Sequence, residues 1–206
     1  MTENAEHWEG VYANNPVTKL SWYEREPTVS LALVESIASA PTAPVIDIGA
    51  GESTLVDRLL ADGFTDLTVL DISHHALTEV RARLGSSAEN VDFVVHDVTT
   101  WEPSRQFEVW HDRAVFHFLT DDAARDRYVE AATRGIQPGG YAVIATFAED
   151  GPTHCSGLPV TRYSAEELAR AFSPSFSLVE HHREEHLTPT SVVQPFTWVV
   201  LQRGYE

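Results

Sequence analysis

Acidic residues stand beside a glycine turn and after a second apolar segment, where they could bind a polar ligand. Asp47 lies near the end of the apolar segment 44–48, which runs into Gly49 and Gly51. Glycine has no Cβ atom, so the backbone can turn sharply there and come close to a ligand. Asp71 follows the next apolar segment, about 20 residues after the turn, where dinucleotide sites place a carboxylate that accepts hydrogen bonds from ribose hydroxyls. The spacing indicates an adenosine-type ligand.

A third acid, Asp97, follows the apolar segment 91–95 and is itself followed by Val98. A carboxylate beside an apolar side chain can accept from an adenine amine and cover its ring. Two alternatives need no ligand: Asp97 is then a loop or capping residue, and Asp47 is a structural carboxylate satisfied by backbone donors. A buried carboxylate needs a partner in every case, because an unpaired one is expensive.

The elements that must position these acids alternate between strands and helices. Alternation of this kind predicts a parallel sheet with helices on both faces. The predicted strands cover 44–48, 67–70, 91–95, 107–111, 141–146, 176–182 and 196–203, and the predicted helices begin near 28 and cover 53–61, 75–84, 121–135 and 166–172. Because no helix separates the last two strands, we predict an antiparallel hairpin at the sheet edge.

Composition limits the function classes. The 206 residues fit one domain, 1–206, and their formal charge of −17 repels nucleic acid and anionic membrane surfaces. The chain has one cysteine, Cys155, and starts with an acidic segment instead of a signal peptide, so we expect a cytoplasmic protein. We also expect no metal, because the neighbouring His181 and His182 point to opposite faces of a strand and cannot share an ion with His186.

The order of these motifs resembles the class I S-adenosylmethionine-dependent methyltransferases. Residues 45–51 (VIDIGAG) resemble their first motif, 70–73 (LDIS) their second and 96–98 (HDV) their third, and 137–141 (QPGGY) resemble the turn before their fifth strand. The resemblance implies a Rossmann-like α/β fold with a mostly parallel seven-stranded sheet and a C-terminal antiparallel hairpin. One departure is Ser53 in place of the family's third glycine, which leaves Ser53 free to cap the next helix.

The amino-terminal segment 7–12 (HWEGVY), followed by 21–24 (SWYE), resembles the opening of small methyltransferases related to lysine-modifying, thiopurine-modifying and tellurite-resistance groups. The resemblance implies that residues 1–40 form a lid and a helix, and that 41–206 form the core. Ordinary core packing of these aromatic residues is the alternative. The implied cofactor-binding residues are Trp8, Tyr12, Trp22, Asp47, Gly49, Ala50, Gly51, Asp71, Ile72, Asp97 and Val98.

Ionisable residues after the fourth predicted strand are candidates for the chemistry itself. His117 is the candidate general base, since imidazole accepts a proton near neutral pH, and a structural histidine is the alternative. Asp112 and Arg113 either fix the loop or contact the methionine end of the cofactor. In the long loop after the fifth strand, Arg162 is expected to hold an anionic acceptor and Tyr163 to stack or hydrogen-bond.

The sequence therefore predicts methyl transfer from S-adenosylmethionine to an O, N or S atom of a small molecule, with S-adenosylhomocysteine as the other product. Three alternatives stay open. A protein lysine methyltransferase would share the aromatic lid, and an NAD-dependent oxidoreductase would share the glycine turn and Asp71. A non-catalytic cofactor-binding module would bind the ligand without turnover.

Overall fold

The computed structural model describes residues 3–205; Met1, Thr2 and Glu206, and with them part of the acidic start, lie outside the described residues. The helices are α1 (Glu3–Asn14), α2 (Thr28–Ile37), α3 (Leu55–Ala61), α4 (His74–Leu84), α5 (Asp122–Gly135) and α6 (Ala165–Ala171). The strands are β1 (Val45–Ile48), β2 (Leu67–Asp71), β3 (Val91–Val95), β4 (Phe107–Arg113), β5 (Ile136–Phe147), β6 (His154–Cys155), β7 (Leu158–Pro159), β8 (Phe176–Leu187) and β9 (Val193–Arg203).

Seven of these strands form one sheet in the order β3-β2-β1-β4-β5-β9-β8. The first five run parallel, β9 is antiparallel to β5, and β8 is antiparallel to β9. The predicted Rossmann-like fold with a C-terminal antiparallel hairpin is therefore confirmed. In such sheets ligands bind beyond the carboxyl ends of the strands, at the point where the strand order reverses.

Apolar side chains alternate between the two faces of the central strands and build a core on each. In β1, Val45 packs into one core cluster, whereas Ile46 and Ile48 pack into the other. Trp198 fills the first face and Trp110 the second, and both indole side chains are fully buried. Because both faces are covered by apolar contacts, the ends of β1, β2 and β4 are held rigidly beside one another.

Side-chain caps determine where several helices begin. The Ser73 hydroxyl accepts from the Ala76 N–H at the start of α4, and the Asp121 carboxylate accepts from the Ala124 N–H at the start of α5. Ser53, the departure from the family pattern, accepts from the Leu55 N–H in the first turn of α3. No helix within 3–205 is long and apolar enough to cross a membrane.

The structure corrects several predicted strand lengths and adds one hairpin. Strands β4, β5, β8 and β9 are longer than predicted, and β6 and β7 pair inside the long loop after β5. Residues Ser156 and Gly157 between them have φ of 50° and 79°, as two-residue hairpin turns require. Strands of two residues are too short to show apolar alternation, so periodicity could not predict them.

Candidate functional site

A cavity of about 580 Å³ lies at the carboxyl ends of β1, β2 and β4, with α1 forming part of its wall. Small-molecule sites usually measure about 300–1,000 Å³. The lining includes eight residues of the expected cofactor set: Trp8, Tyr12, Trp22, Gly49, Asp71, Ile72, Asp97 and Val98. Two others, Asp47 and Ala50, line a smaller neighbouring cavity that shares Tyr12 and Gly49 with the first. The structure thus brings together residues that are up to 90 positions apart in the chain.

Asp71 ends β2 and lies at the floor of the cavity. Its Oδ2 accepts from the Gly51 N–H and its Oδ1 from the Ser73 N–H, both at 2.8 Å. Burial raises the pKa of this carboxyl to about 6, although the two backbone hydrogen bonds lower it. Each carboxylate oxygen has two lone pairs, so both keep acceptor capacity for a ligand.

Two glycines at the end of β1 have positive φ, 62° at Gly49 and 51° at Gly51. A Cβ atom on Gly51 would overlap the Tyr12 hydroxyl, and one on Gly49 would overlap Val115. From the sequence, the role expected of these glycines was to let a ligand come close to the backbone. The structure adds a second reason: Tyr12 of α1 closes directly over the glycine turn.

Asp47 is paired within the protein. It lies opposite His111 on the adjacent strand β4, and Nδ1 of His111 is 2.7 Å from Asp47 Oδ1. The Ser30 hydroxyl of α2 lies 2.9 Å from the other ring nitrogen. All three residues are buried. The Oδ1 atom of Asp47 therefore has a structural role. Its partner is the His111 imidazole instead of the backbone donors expected from the sequence.

Aromatic side chains of the amino-terminal segment pack against one another and against Phe118. The Trp8 ring centroid lies 5.1 Å from that of Phe118 and 5.8 Å from that of Trp22, both in edge-to-face geometry. The Tyr12 ring lies 6.4 Å from Trp22. These contacts join α1 to the residues after β4, and the rings form one wall of the cavity.

Glu9, which the sequence analysis did not single out, fixes α1 on the start of α4. Its carboxylate accepts from the Ser73 hydroxyl and from the N–H groups of His74 and His75, at 2.8–3.0 Å. Burial raises the pKa of Glu9, but these hydrogen bonds outweigh that effect and the pKa is lowered. Since Ser73 also donates its N–H to Asp71, the lid helix and the floor of the cavity are connected through one residue.

Asp97 lies in the loop after β3 and lines the cavity beside Val98. Its Oδ1 accepts from the N–H and the hydroxyl of Thr99, at 2.9 and 2.7 Å. These local bonds hold the loop, as the capping alternative requires. They involve one carboxylate oxygen and leave the acceptor capacity of Oδ2 unused.

Asp112 and Arg113 end β4 but have different surroundings. Asp112 is fully buried and accepts hydrogen bonds from the N–H groups of Val115 and Phe116 and from the Tyr128 hydroxyl. Burial raises its pKa to about 6. Asp112 therefore fixes the loop after β4 and does not line the cavity.

Arg113, in contrast, lines both the large and the small cavity. Its Nη1 donates to the Trp22 carbonyl at 3.0 Å, and its guanidinium stacks on Phe196 at 4.6 Å. Its Nε lies 3.3 Å from Glu24, without hydrogen-bond alignment. The buried Nη2 has no hydrogen-bond partner within residues 3–205, so it is the donor that a bound anion would satisfy.

His117, the candidate base, is not among the residues that line the cavity. It is fully buried beneath Phe118 and Phe147, and its Nδ1 accepts from the Phe147 N–H at 3.3 Å. An accepting Nδ1 leaves the proton on Nε2, and burial lowers the pKa of His117 to about 3. This environment fits the alternative of a structural, neutral histidine.

Neither Arg162 nor Tyr163 lines the cavity. Arg162 donates to the Gly151 carbonyl at 3.2 Å, and the Tyr163 ring packs 5.7 Å from Phe116 in the core. The same long loop reaches the cavity through the unpredicted hairpin instead, which contributes Cys155, Leu158 and Pro159. Burial raises the pKa of the Cys155 thiol to about 12, so it is a packing residue.

Comparisons with known proteins agree with this geometry. The family model "Methyltransferase domain" matches residues 45–140. The chain is 25% identical over 108 residues to malonyl-(acyl-carrier protein) O-methyltransferase 2 of Ilyobacter polytropus, covering 52% of this chain and 40% of that one. It is 26% identical over 153 residues to the eEF1A lysine and N-terminal methyltransferase of Mus musculus, covering 71% and 22%. The chain thus spans less than half the length of these two curated relatives.

Among solved structures, the fold resembles N-methyltransferase NodS from Bradyrhizobium japonicum WM9 in complex with S-adenosylhomocysteine. The TM-score is 0.73 at 15% identity, with 98% of this chain and 99% of that chain covered. The strand order, the acids after β2 and β3, the glycine turn and the family match all agree. Residues 45–140 therefore match a methyltransferase domain, and the chain has the fold of the class I S-adenosylmethionine-dependent methyltransferases.

Proposed function

We propose that the protein transfers a methyl group from S-adenosylmethionine to an O, N or S atom of a small molecule and releases S-adenosylhomocysteine. The observation that carries the proposal is one cavity with two chemically different parts. One part holds Asp71 and Asp97, and the other holds Phe118 and the apolar hairpin residues Leu158 and Pro159. A cofactor and an acceptor can therefore lie end to end inside the same walls.

The polar groups that line the cavity fit the cofactor at each of its ends. Asp71 accepts from the ribose hydroxyls, and Asp97 accepts from the adenine amine, with Ile72 and Val98 beside the ring. The Nη2 of Arg113, which has no hydrogen-bond partner within residues 3–205, donates to the methionine carboxylate, because a buried N–H group needs an acceptor. When bound, the cofactor supplies an electrophilic methyl group on a sulfonium sulfur.

The chain's own contribution to methyl transfer is position and exclusion of water. Trp8, Trp22 and Phe118 line the apolar part, where they shield the reacting atoms from solvent and restrict the acceptor's orientation. With His117 held behind this wall, the acceptor attacks with its own lone pair and releases any proton to water or to another group. Acceptors that are already deprotonated or neutral at the reacting atom fit this site best.

Calorimetry with S-adenosylmethionine and S-adenosylhomocysteine is the first test, followed by transfer of a labelled methyl group to a panel of small amines, phenols, carboxylates and thiols. Saturable binding together with label in a small product supports the proposal. If the folded chain bound neither S-adenosylmethionine nor S-adenosylhomocysteine, the proposed activity would be refuted. Leu158→Asp places a charge in the apolar part of the cavity. If this variant turned over as fast as the wild type, the proposed position of the acceptor would be wrong.

A second candidate is methylation of a protein lysine, which the match to the eEF1A lysine and N-terminal methyltransferase favours. The acidic chain would attract a lysine-bearing partner at neutral pH. The labelled-methyl experiment separates the two candidates when it is repeated on a cell lysate. Label in proteins and none in metabolites would favour the lysine candidate.

Cofactor affinity is expected to weaken as the pH falls through about 6. Asp71 has a pKa of about 6 in the cofactor-free fold, and ribose hydroxyls donate to the ionised form. Proton competition then lowers the affinity by roughly tenfold per pH unit below that pKa. Because the pKa of Asp71 is raised in the folded state, the folded state binds this proton more tightly than the unfolded state does. The contribution of Asp71 to the free energy of unfolding therefore increases as the pH falls through about 6.

Calorimetry between pH 8 and 5 measures this dependence, with melting curves recorded at each pH. A constant affinity across that range would contradict it. Asp71→Asn, which cannot titrate, is the control: its weaker binding is expected to show no inflection near pH 6.

Replacing Glu9 by glutamine is expected to weaken cofactor binding about tenfold or more, although Glu9 does not line the cavity. A neutral amide cannot accept three hydrogen bonds as a carboxylate does, and hydrogen bonds to charged groups contribute ~1.5–3 kcal/mol each. The lid helix then spends less time docked on α4. Tryptophan fluorescence, reporting on Trp8 and Trp22, and calorimetry measure the two effects.

Glu6→Gln is the matched control for this change, because Glu6 lies on the same helix and is exposed. It is expected to bind the cofactor as the wild type does. Wild-type affinity in Glu9→Gln would mean that the docked position of α1 has no part in cofactor binding.

A further inference from the structure

Glu24, Glu184 and His186 meet where the segment after α1 crosses strand β8. One ligand atom from each lies within 4.8 Å of the others, a closeness that no other such group reaches within residues 3–205. Glu24 belongs to the segment that carries Trp22, whereas the other two residues belong to β8. None of the three lines the large cavity, although Glu24 also lines the small cavity beside it.

His186 is buried and held in one orientation. Its Nε2 lies 2.7 Å from the Ser21 carbonyl oxygen, which can only accept, so Nε2 carries the proton. When the ring is neutral, its Nδ1 therefore presents a lone pair on the side of Glu24, 3.7 Å from Oε1, which is too long for a hydrogen bond. A histidine that donates one ring N–H to a carbonyl and turns the other nitrogen toward carboxylates has the arrangement of a metal ligand.

The charged groups around the cluster have a net negative charge, which favours binding of a cation. Arg113 lies 3.3 Å from Glu24, and the Trp198 Nε1–H donates to Glu184 at 2.7 Å. Two carboxylates facing one guanidinium thus keep an excess negative charge, which a proton or a metal ion would neutralise.

An open cavity of about 410 Å³ leads from solvent to these side chains, and its rim includes Glu26 and Glu185. Glu26 is paired with Arg58 and Glu185 with Arg183, and Arg25 also lines this cavity, so the cavity gives an ion a way in without adding free negative charge. The set of one imidazole nitrogen and two carboxylate oxygens suits Zn²⁺ and related transition ions better than Mg²⁺ or Ca²⁺, which prefer oxygen alone.

We propose that Glu24, Glu184 and His186 bind one divalent first-row transition metal ion. The ion joins the segment that carries Trp22 to strand β8 and keeps a position open to the adjoining cavity. The expectation of no metal came from His181 and His182, which share a strand with His186. The ligands that accompany His186 are instead Glu184, two residues before it on the same strand, and Glu24, which is 162 positions away in sequence.

Calorimetric titration of the full chain with Zn²⁺, after treatment with a chelator, tests the proposal. One equivalent is expected to bind, and His186→Gln and Glu184→Gln are each expected to lower the affinity at least tenfold. Mg²⁺ at the same concentration is expected to give no comparable binding. Glu184→Gln keeps an oxygen for the Trp198 donor, so it serves if His186→Gln does not fold.

His182→Gln is the matched control, because His182 is exposed on the same strand. It is expected to bind Zn²⁺ as the wild type does. Absence of stoichiometric binding, or an equal loss in His182→Gln and His186→Gln, would overturn the site. X-ray absorption of the zinc-loaded chain adds a second readout: one nitrogen and carboxylate oxygens at about 2.0–2.2 Å support it, and oxygen ligands alone overturn it.

Discussion

Gly51→Ala is expected to displace Tyr12 from the glycine turn, lower the melting temperature and reduce cofactor affinity by about a hundredfold. Gly51 has a φ of 51°, where a Cβ atom costs ~1–2 kcal/mol from the backbone alone. For a chain of this size that corresponds to a fall of ~2–8 °C. The new methyl group would also overlap the Tyr12 hydroxyl, so the lid helix cannot keep its place.

A second glycine separates backbone strain from the clash with the lid. Gly63 has a φ of 91°, and a Cβ atom there would meet nothing within 4 Å. Gly63→Ala is therefore expected to lower the melting temperature by a similar backbone increment and to leave cofactor affinity unchanged. Equal losses of affinity in the two variants would refute the role given to Tyr12.

Removing the obstacle is expected to restore part of the binding. Tyr12→Phe deletes the hydroxyl, and the next atom of the ring lies 3.0 Å from the position of the new Cβ. The double variant Gly51→Ala with Tyr12→Phe is expected to bind more tightly than Gly51→Ala by itself. Strictly additive losses would show that the two residues act independently.

The sequence predicted the floor of the site because its signals are local. A short apolar strand, a glycine turn and an acid after the next strand lie within 27 residues, from 45 to 71. Strand β3 has the predicted ends, and β1 and β2 differ by one residue. Asp71 reaches the cavity because it is the last residue of its strand, and strand ends in a parallel sheet share one edge.

Contacts that depend on the register or on packing of distant segments were not predicted. Asp47 meets His111 because β1 and β4 pair in one specific register, which no periodicity in either strand specifies. Glu9 caps α4 across 64–66 positions of sequence. In each case the residue types were visible, but their partners follow from the tertiary arrangement.

The side chains predicted to face the cavity after β4 and β5, namely His117, Arg162 and Tyr163, do not line it. His117 lies in a short 3₁₀ turn, and the turn directs its imidazole into the core, away from the cavity. Tyr163 immediately precedes the capping box of α6 and packs on Phe116 for the same kind of reason. Helical and strand periodicity assign faces within regular elements, but they assign none to turns.

Asp71→Ala is expected to abolish cofactor binding under conditions in which the wild type is saturated, and to destabilise the fold. The change removes the carboxylate for the ribose and leaves the N–H groups of Gly51 and Ser73 without their acceptor. Each unsatisfied buried group costs ~1–3 kcal/mol. Because Ser73 also holds Glu9, the lid helix is expected to loosen in the same variant.

Calorimetry and melting curves must be read together, since loss of stability can imitate loss of binding. Ser164→Ala supplies the comparison: it removes the cap of α6, which costs ~0.5–2 kcal/mol, at a half-buried position outside the cavity. That variant is expected to melt earlier and bind normally. If Asp71→Ala, measured well below its melting temperature, still bound S-adenosylmethionine within tenfold of the wild type, the carboxylate would have no part in holding the ribose, and the acid after β2 would be structural.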